Sequence, residues 1–195
     1  MSAKVELPTL VGVRCTLRGL RLADAPALQQ HADDAAVAFN LFDGFPQPYT
    51  LAQAEAWCGH QHREPEFAHV LGITVQRDEV AGCISVTPQQ GLWGSSAIVG
   101  YWLGQAWWGR GVTSEALALV TAWAWDALPQ VTRLWMPIYA RNGASQAVAR
   151  KTGYALEGRM ALAMRKAGLA IDAVQYGITR PGATPGEHRL PTLAP

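Results

Sequence analysis

Seven stretches of the chain run apolar or alternate apolar with polar over five to eight positions, and amphipathic segments of helical period lie between them. Val13 to Leu20 reads as a first strand. Asp24 then caps a helix through about Asp33, with Pro26 tolerated in its first turn. Phe39 to Tyr49 carries too much Gly, Pro and Asn for regular structure, yet it is strongly aromatic. Thr50 followed by Gln53 forms a capping box that opens a second helix through roughly His62. Val70 to Val75 and Val80 to Val86 are β-rich runs joined by the polar turn Gln76 to Glu79. A third run, Ala97 to Leu103, leads through a Gly-bearing turn into a long helix from Val112 to Leu128. Leu134 to Ala140 is another strand, and Asn142 to Thr152 a helix ended by Gly153. Met160 to Met164 and Ile171 to Ile178 flank a hairpin turn at Lys166-Ala167-Gly168. The order β-αα-βββ-α-β-α-ββ predicts a single α+β domain over residues 1–180, followed by an extended Pro/Gly-rich tail over 181–195, with no internal repeat.

Composition narrows the class without naming an activity. Hydrophobic residues make up 49% of 195 positions and charged residues 16%, enough apolar content for a substantial core. A net charge of +1 with no basic stripe argues against nucleic-acid binding. Cys15, Cys58 and Cys83 are odd in number and far apart, which fits reduced thiols in a cytoplasmic protein. His31, His60, His62 and His69 share no metal-ligand spacing, so no metal is expected. Neither a signal peptide nor a run long enough to span a bilayer is present, so no membrane association is expected.

The turn before the long helix carries the first chemical signal. Trp108-Gly109-Arg110-Gly111 joins the end of a strand to a helix start, where unpaired N–H groups and the macrodipole favour an anion. Glycines let a phosphate approach the backbone, and Arg110 can add a charge-assisted contact. The turn is neither a P-loop, since the required Lys is absent, nor a dinucleotide fingerprint, since position 114 is Ser. Such spacing also serves a turn that only joins strand to helix, so alone it leaves both readings open.

A second segment decides between them. Arg141-Asn142-Gly143-Ala144-Ser145 opens a helix that closes on Lys151-Thr152-Gly153-Tyr154. Together with Gly100-Tyr101-Trp102-Leu103, the glycine turn and Leu156-Glu157-Gly158, this order and spacing resembles the GNAT acyltransferase superfamily, and within it the Rim-type acetyltransferases of ribosomal-protein N-termini. The resemblance runs from about Val13 to Arg180. It implies a mixed, mostly antiparallel sheet of about seven strands flanked by four helices, with splayed central strands. It also implies acetyl-CoA as co-substrate, its pyrophosphate on the backbone of Trp108, Gly109, Arg110, Gly111, Val112 and Thr113. The pantetheine would run beside Trp102 and Leu103, with Asn142 in contact, and Lys151 or Arg150 would meet the adenosine phosphates. Pro137 interrupts the strand Leu134 to Ala140, where a missing N–H costs little if the neighbouring strand has already diverged. Ala106 replaces the family's usual Gln or Arg, leaving recognition to the backbone.

Transfer to an amine needs a neutral nucleophile and a proton for the departing thiolate. By resemblance Ser145 is the candidate general acid; three residues after Asn142, it equally supports the helix start. The positions where relatives carry a base hold Ile98 and Met164, which leaves the base unassigned, and Glu157 and Asp172 suit structural roles as well. At pH 7, neutralising an α-amine of pKa near 8 costs about 1 kcal/mol, and neutralising a Lys of pKa about 10.4 costs about 4 to 5. A site without a strong base therefore favours a peptide or protein N-terminus. The acceptor can meet Asn40, Phe42, Asp43, Tyr101 and Asp172, with Phe39, Phe45 and Tyr49 lining a pocket or covering the core as a flap. A small-molecule amine and a non-catalytic CoA sensor stay open as alternatives, as does the choice between monomer and homodimer.

Overall fold

The computed structural model describes residues 7–60 and 68–184. Eight strands form one sheet: β1 (Leu10–Val11), β2 (Thr16–Arg18), β3 (His69–Thr74), β4 (Val80–Pro88), β5 (Ser96–Leu103), β6 (Arg133–Tyr139), β7 (Ala155–Lys166) and β8 (Leu169–Thr179). Their spatial order is β1-β2-β3-β4-β5-β6-β8-β7. Every neighbouring pair is antiparallel except β5 and β6, which run parallel. The helices are α1 (Ala25–Ala32), α2 (Ala35–Phe39), α3 (Leu51–His60), α4 (Val112–Ala127) and α5 (Gly143–Lys151).

Helix α4 buries Val112, Ala116, Leu117, Val120, Thr121, Trp123 and Ala124, a stripe of helical period that faces the sheet. Ala97, Val99 and Leu103 of β5 and Leu134, Met136 and Ile138 of β6 complete that core. On the opposite face Leu28 of α1 and Ala54 and Cys58 of α3 pack on Val80 and Cys83 of β4. The second cluster stops at Trp102, so the sheet beyond β5 is open on this face.

The sheet divides at its parallel pair. Strands β5 and β6 pair at Ser96–Arg133, Ala97–Leu134 and Ile98–Trp135, and no further. Beyond that rung β5 continues fully paired with β4, and β6 with β8. Pro137 stands two positions past the last rung, where the β5 side no longer asks for a donor.

Several local expectations are corrected. The expected strand Val13 to Leu20 is only Thr16–Arg18, because the Glu115 carboxylate accepts the N–H groups of Val13 (3.0 Å), Arg14 (2.6 Å) and Cys15 (2.9 Å) and holds them in a turn after β1. Asp24 does not cap α1 with its side chain; it forms a buried two-pronged pair with Arg18 at 2.8 and 2.9 Å and accepts the Arg21 N–H, closing a capping box on the single turn before α1. A short helix that the sequence pattern did not indicate, α2, precedes the irregular stretch and ends on its first residue, Phe39; Asp34 caps it. The Thr50 and Gln53 box forms in both directions, while the expected end of that helix at His62 lies outside the described residues, as does the tail from 185.

Candidate active site

Gly109 and Gly111 both adopt left-handed backbone, with φ of 72° and 78°. The glycine turn is thus required by conformation and not only by approach. Gly111 is the N-cap of α4, and no side chain caps this helix. Its first-turn N–H groups therefore stay open to a ligand. Val112 is buried and Thr113 half-buried, so Val112 can offer only its main chain. Arg110 lies over the Trp107 ring at 5.0 Å, which leaves its guanidinium beside the turn.

Sequence reasoning missed Arg14. A Cβ built on Gly111 would lie 3.3 Å from Arg14 Nε, so this cation stands directly beside the start of α4. Glu115 in that helix's first turn places it, by holding the Arg14 N–H and an ion pair at 3.7 Å. No local signal could have revealed a contact 101 residues apart.

The indole rings of Trp108 and Trp102 make contacts within the protein. Trp108 donates its indole N–H to the Leu103 carbonyl at 2.6 Å and so folds the turn back onto the end of β5. The Trp102 ring points to the α1 and α3 face and meets Phe45 edge-on at 5.8 Å, so only its main chain can serve a cofactor on the α4 face. Lys151 is exposed at the last turn of α5, about 13 Å along the axis from Asn142. Arg150 donates to the Tyr176 hydroxyl at 2.9 Å.

At the mouth of the split the two candidate polar residues meet. Asn142 caps α5, its side-chain oxygen accepting the Ser145 N–H at 3.1 Å. The Ser145 Oγ lies 2.7 Å from the Tyr101 hydroxyl, which is 3.2 Å from the Ser145 carbonyl. A bond from β5 to α5 therefore bridges the gap that β5 and β6 leave. Burial pushes the Tyr101 phenol up to about 12, so it keeps its proton at neutral pH. The shorter distance is the better O–H···O geometry, and a tyrosine that donates to Ser145 Oγ frees the serine proton for a third group.

Asn40, Phe42 and Asp43, expected to meet the acceptor, lie on the segment that follows α2. Phe42 is 64% exposed. Asp43 accepts the Ala167 N–H at 3.0 Å and pairs with Lys166 at 3.5 Å, which straps the 38–43 segment to the turn between β7 and β8. Lys166 also donates to the carbonyls of Ala38 and Leu41. Asn40 follows α2 as its C-cap residue. Phe39 lies under Arg141, with the guanidinium 4.2 Å from the ring, while Phe45 and Tyr49 stack at 5.1 Å against the core. Phe45 and Tyr49 thus join the core beneath α1 and α3, while Phe39 and Phe42 stay exposed.

Each carboxylate raised as a base already has partners. Asp172 binds Arg159 at 2.7 Å and the Leu162 N–H at 3.0 Å. Glu157 binds both Arg133 nitrogens and the Gln175 amide. Hydrogen bonding holds all three acids below the usual carboxylate range: the Ala167 N–H for Asp43, the Leu162 N–H for Asp172, and the Arg133 guanidinium for Glu157. Burial pushes Glu115 up, but its three N–H partners bring it below that range too. Positions 98 and 164 hold Ile and Met, and Asp43, Asp172, Glu157 and Glu115 are each engaged by the partners above.

Among the described residues no helix is long and apolar enough to cross a membrane, and no group of three His, Cys, Asp or Glu side chains could hold a metal. All three cysteines are buried and unpaired.

Known proteins share this architecture. The model of the acetyltransferase (GNAT) domain matches residues 14–155. No curated protein matches the chain in sequence. Among solved structures, RimL, a ribosomal L7/L12 α-N-protein acetyltransferase in complex with coenzyme A, superposes with a TM-score of 0.76 at 24% identity over 89% of this chain and 97% of its own. RimJ of Mycobacterium smegmatis, in complex with CoA-disulfide, gives 0.79 at 22% identity over 89% and 88%. The microcin C7 self immunity acetyltransferase MccE, in complex with acetyl-CoA and AMP, gives 0.77 at 20% over 91% and 99%. The family match spans most of the chain and falls on the glycine turn, the uncapped helix and the split sheet, so this protein belongs to the GNAT acetyltransferase family and is an acyl-CoA-dependent N-acetyltransferase.

Proposed function

We propose that the chain acetylates the α-amine of a peptide or protein N-terminus, by direct attack on acetyl-CoA in a ternary complex. The observation that carries this reading is the engagement of every candidate carboxylate. A site whose acids all lie below their ordinary range is a poor proton acceptor, so the amine must arrive neutral. An α-amine meets that demand at a cost smaller than a lysine by about 3 kcal/mol.

The open N–H groups of α4, with Arg14 and Arg110 beside them, hold the diphosphate. Asn142 contacts the pantetheine, and the thioester lies in the gap after Ile98 and Trp135. Ser145 gives its proton to the departing sulfur, and Tyr101 orients it. The proton lost by the amine after attack passes through water to Ser145 and restores its hydroxyl. RimL, an L7/L12 α-N-protein acetyltransferase, supports the choice of acceptor and the Rim-type branch.

A second reading, a small-molecule amine as acceptor, draws support from MccE, whose complex holds acetyl-CoA and AMP. Two tryptophans, Trp93 and Trp135, line the cavity beside the split in this chain.

Thiol release from acetyl-CoA tests the proposal against three amines: a lysine-free peptide with a free N-terminus, a lysine peptide blocked at its N-terminus, and spermidine. The free N-terminus should react at least about tenfold faster than either of the others. Faster turnover on the blocked lysine peptide refutes the acceptor class, and binding of acetyl-CoA without turnover on any amine favours a sensor.

A further inference from the structure

The last paired rung of β5 and β6 places Ile98 and Trp135 on the face that also carries α1 and α3, but beyond the cover of those helices. A cavity of about 320 Å³ opens there, lined by Gln89, Trp93, Ile98, Arg133, Trp135 and Gln175. Gln175 pairs with Pro137, already past the rung, so the cavity reaches the beginning of the split. One step further along β5 on the same face lies Gly100, exposed, with Ser85 as its neighbour on β4. The cavity thus adjoins, on the side away from α4 and α5, the gap that Tyr101 and Ser145 bridge on the other.

Its chemistry is restrictive. Trp93, Trp135 and Ile98 give apolar walls, and Gln89 and Gln175 give carboxamides. The charge of Arg133 is matched by Glu157, which also accepts from Gln175 at 3.0 Å. A cation entering here would lose hydration and find no free counter-charge, and an anion would find its only cation already paired. An uncharged apolar group loses nothing and gains burial. The Trp135 indole nitrogen has no hydrogen-bond partner among the described residues, so no polar contact fixes that ring and the wall can adjust to its occupant. The volume lies at the lower end of the roughly 300–1,000 Å³ of small-ligand sites, which suits one side chain and the peptide group after it.

We infer that this cavity receives the first residue of the acceptor, selecting an uncharged apolar side chain and presenting Gln89 and Gln175 to the peptide group that follows. The inference rests on the α-amine reading and moves the acceptor away from the 39–49 segment. Occupancy by a second copy of this chain is the rival, since Trp93 is 64% exposed at the rim.

Binding of acetylated product peptides in the presence of CoA tests it without requiring turnover. Calorimetry would compare otherwise identical peptides beginning with acetyl-Leu, acetyl-Phe, acetyl-Lys and acetyl-Asp. Leu and Phe should bind at least about tenfold tighter than Lys and Asp. Trp93→Glu, an exposed change that does not threaten folding, should narrow the Leu-to-Lys ratio by about tenfold, and Trp135→Leu should weaken Phe more than Leu. Equal binding of all four peptides, or a ranking that Trp93→Glu leaves untouched, overturns the inference. So does sedimentation showing a wild-type dimer that Trp93→Glu dissociates. Should the ranking hold while no peptide amine is turned over, the α-amine function falls and the cavity assignment stands; turnover without the ranking gives the converse.

Discussion

Gly111 has a backbone of φ 78° and ψ 0°, and no L side chain adopts that without strain of roughly 1–2 kcal/mol. An added Cβ would also press on Arg14. Gly111→Ala should therefore raise the Kd for acetyl-CoA by roughly tenfold, about 1.4 kcal/mol, by calorimetry. The Tyr101 and Ser145 pair makes a different prediction. Ser145→Ala removes the proton donor and should lower kcat by about 10²-fold, with the Kd for acetyl-CoA unchanged. Tyr101→Phe leaves Ser145 in place but unoriented, so kcat should fall less, about tenfold. Loss of acetyl-CoA binding in either variant would assign the pair to the cofactor cleft instead of proton transfer.

Among the elements, the strands β3 to β6 and β8 and the helices α4 and α5 were legible from local apolar runs, caps and the glycine turn, although β3 and β4 are buried on both faces. The failures share one cause, a side chain claimed by a distant partner. Val13, Arg14 and Cys15 have strand-like composition, but the Glu115 carboxylate takes all three N–H groups. Asp24 has the residue type of a cap, but Arg18 is buried in β2 and needs its charge matched. Asp43 sits in a loop that invites a ligand, yet Lys166 and Ala167 occupy it. The glycine turn and Asn142 were readable because a helix start acts through adjacent backbone, whereas the pairing of Tyr101 with Ser145 and the place of Arg14 required the fold. Asp24→Ala should cost roughly 3–5 kcal/mol by urea denaturation, since it removes the buried two-pronged partner of Arg18 and leaves only the half-exposed Asp78 to match its charge. A loss below about 1 kcal/mol would mean that Asp78, at 2.7 Å, suffices as its partner.

At the scale of the molecule, the engagement of every carboxylate near the split among the described residues governs pH dependence. No acid there is poised near neutrality, and Tyr101 at about 12 stays protonated. The kcat/KM for a peptide acceptor should then climb tenfold per pH unit and level near pH 8, where the α-amine itself is neutral. A plateau reached near pH 6 would expose a protein base. Stability should behave oppositely on acidification. Asp43, Asp172, Glu157 and Glu115 all lie below their ordinary values when folded, so their contribution is complete above about pH 5 and is lost as pH falls through the lowered values. The urea midpoint should thus drop steadily between about pH 5 and pH 2.

The most direct trial is a crystal structure of the protein with acetyl-CoA. Diphosphate oxygens should lie within hydrogen-bond distance of the main-chain N–H groups from Gly109 to Thr113, with the sulfur in the gap between Gly100 and Pro137, near Ser145. A diphosphate bound elsewhere while the start of α4 stays unengaged would contradict the account.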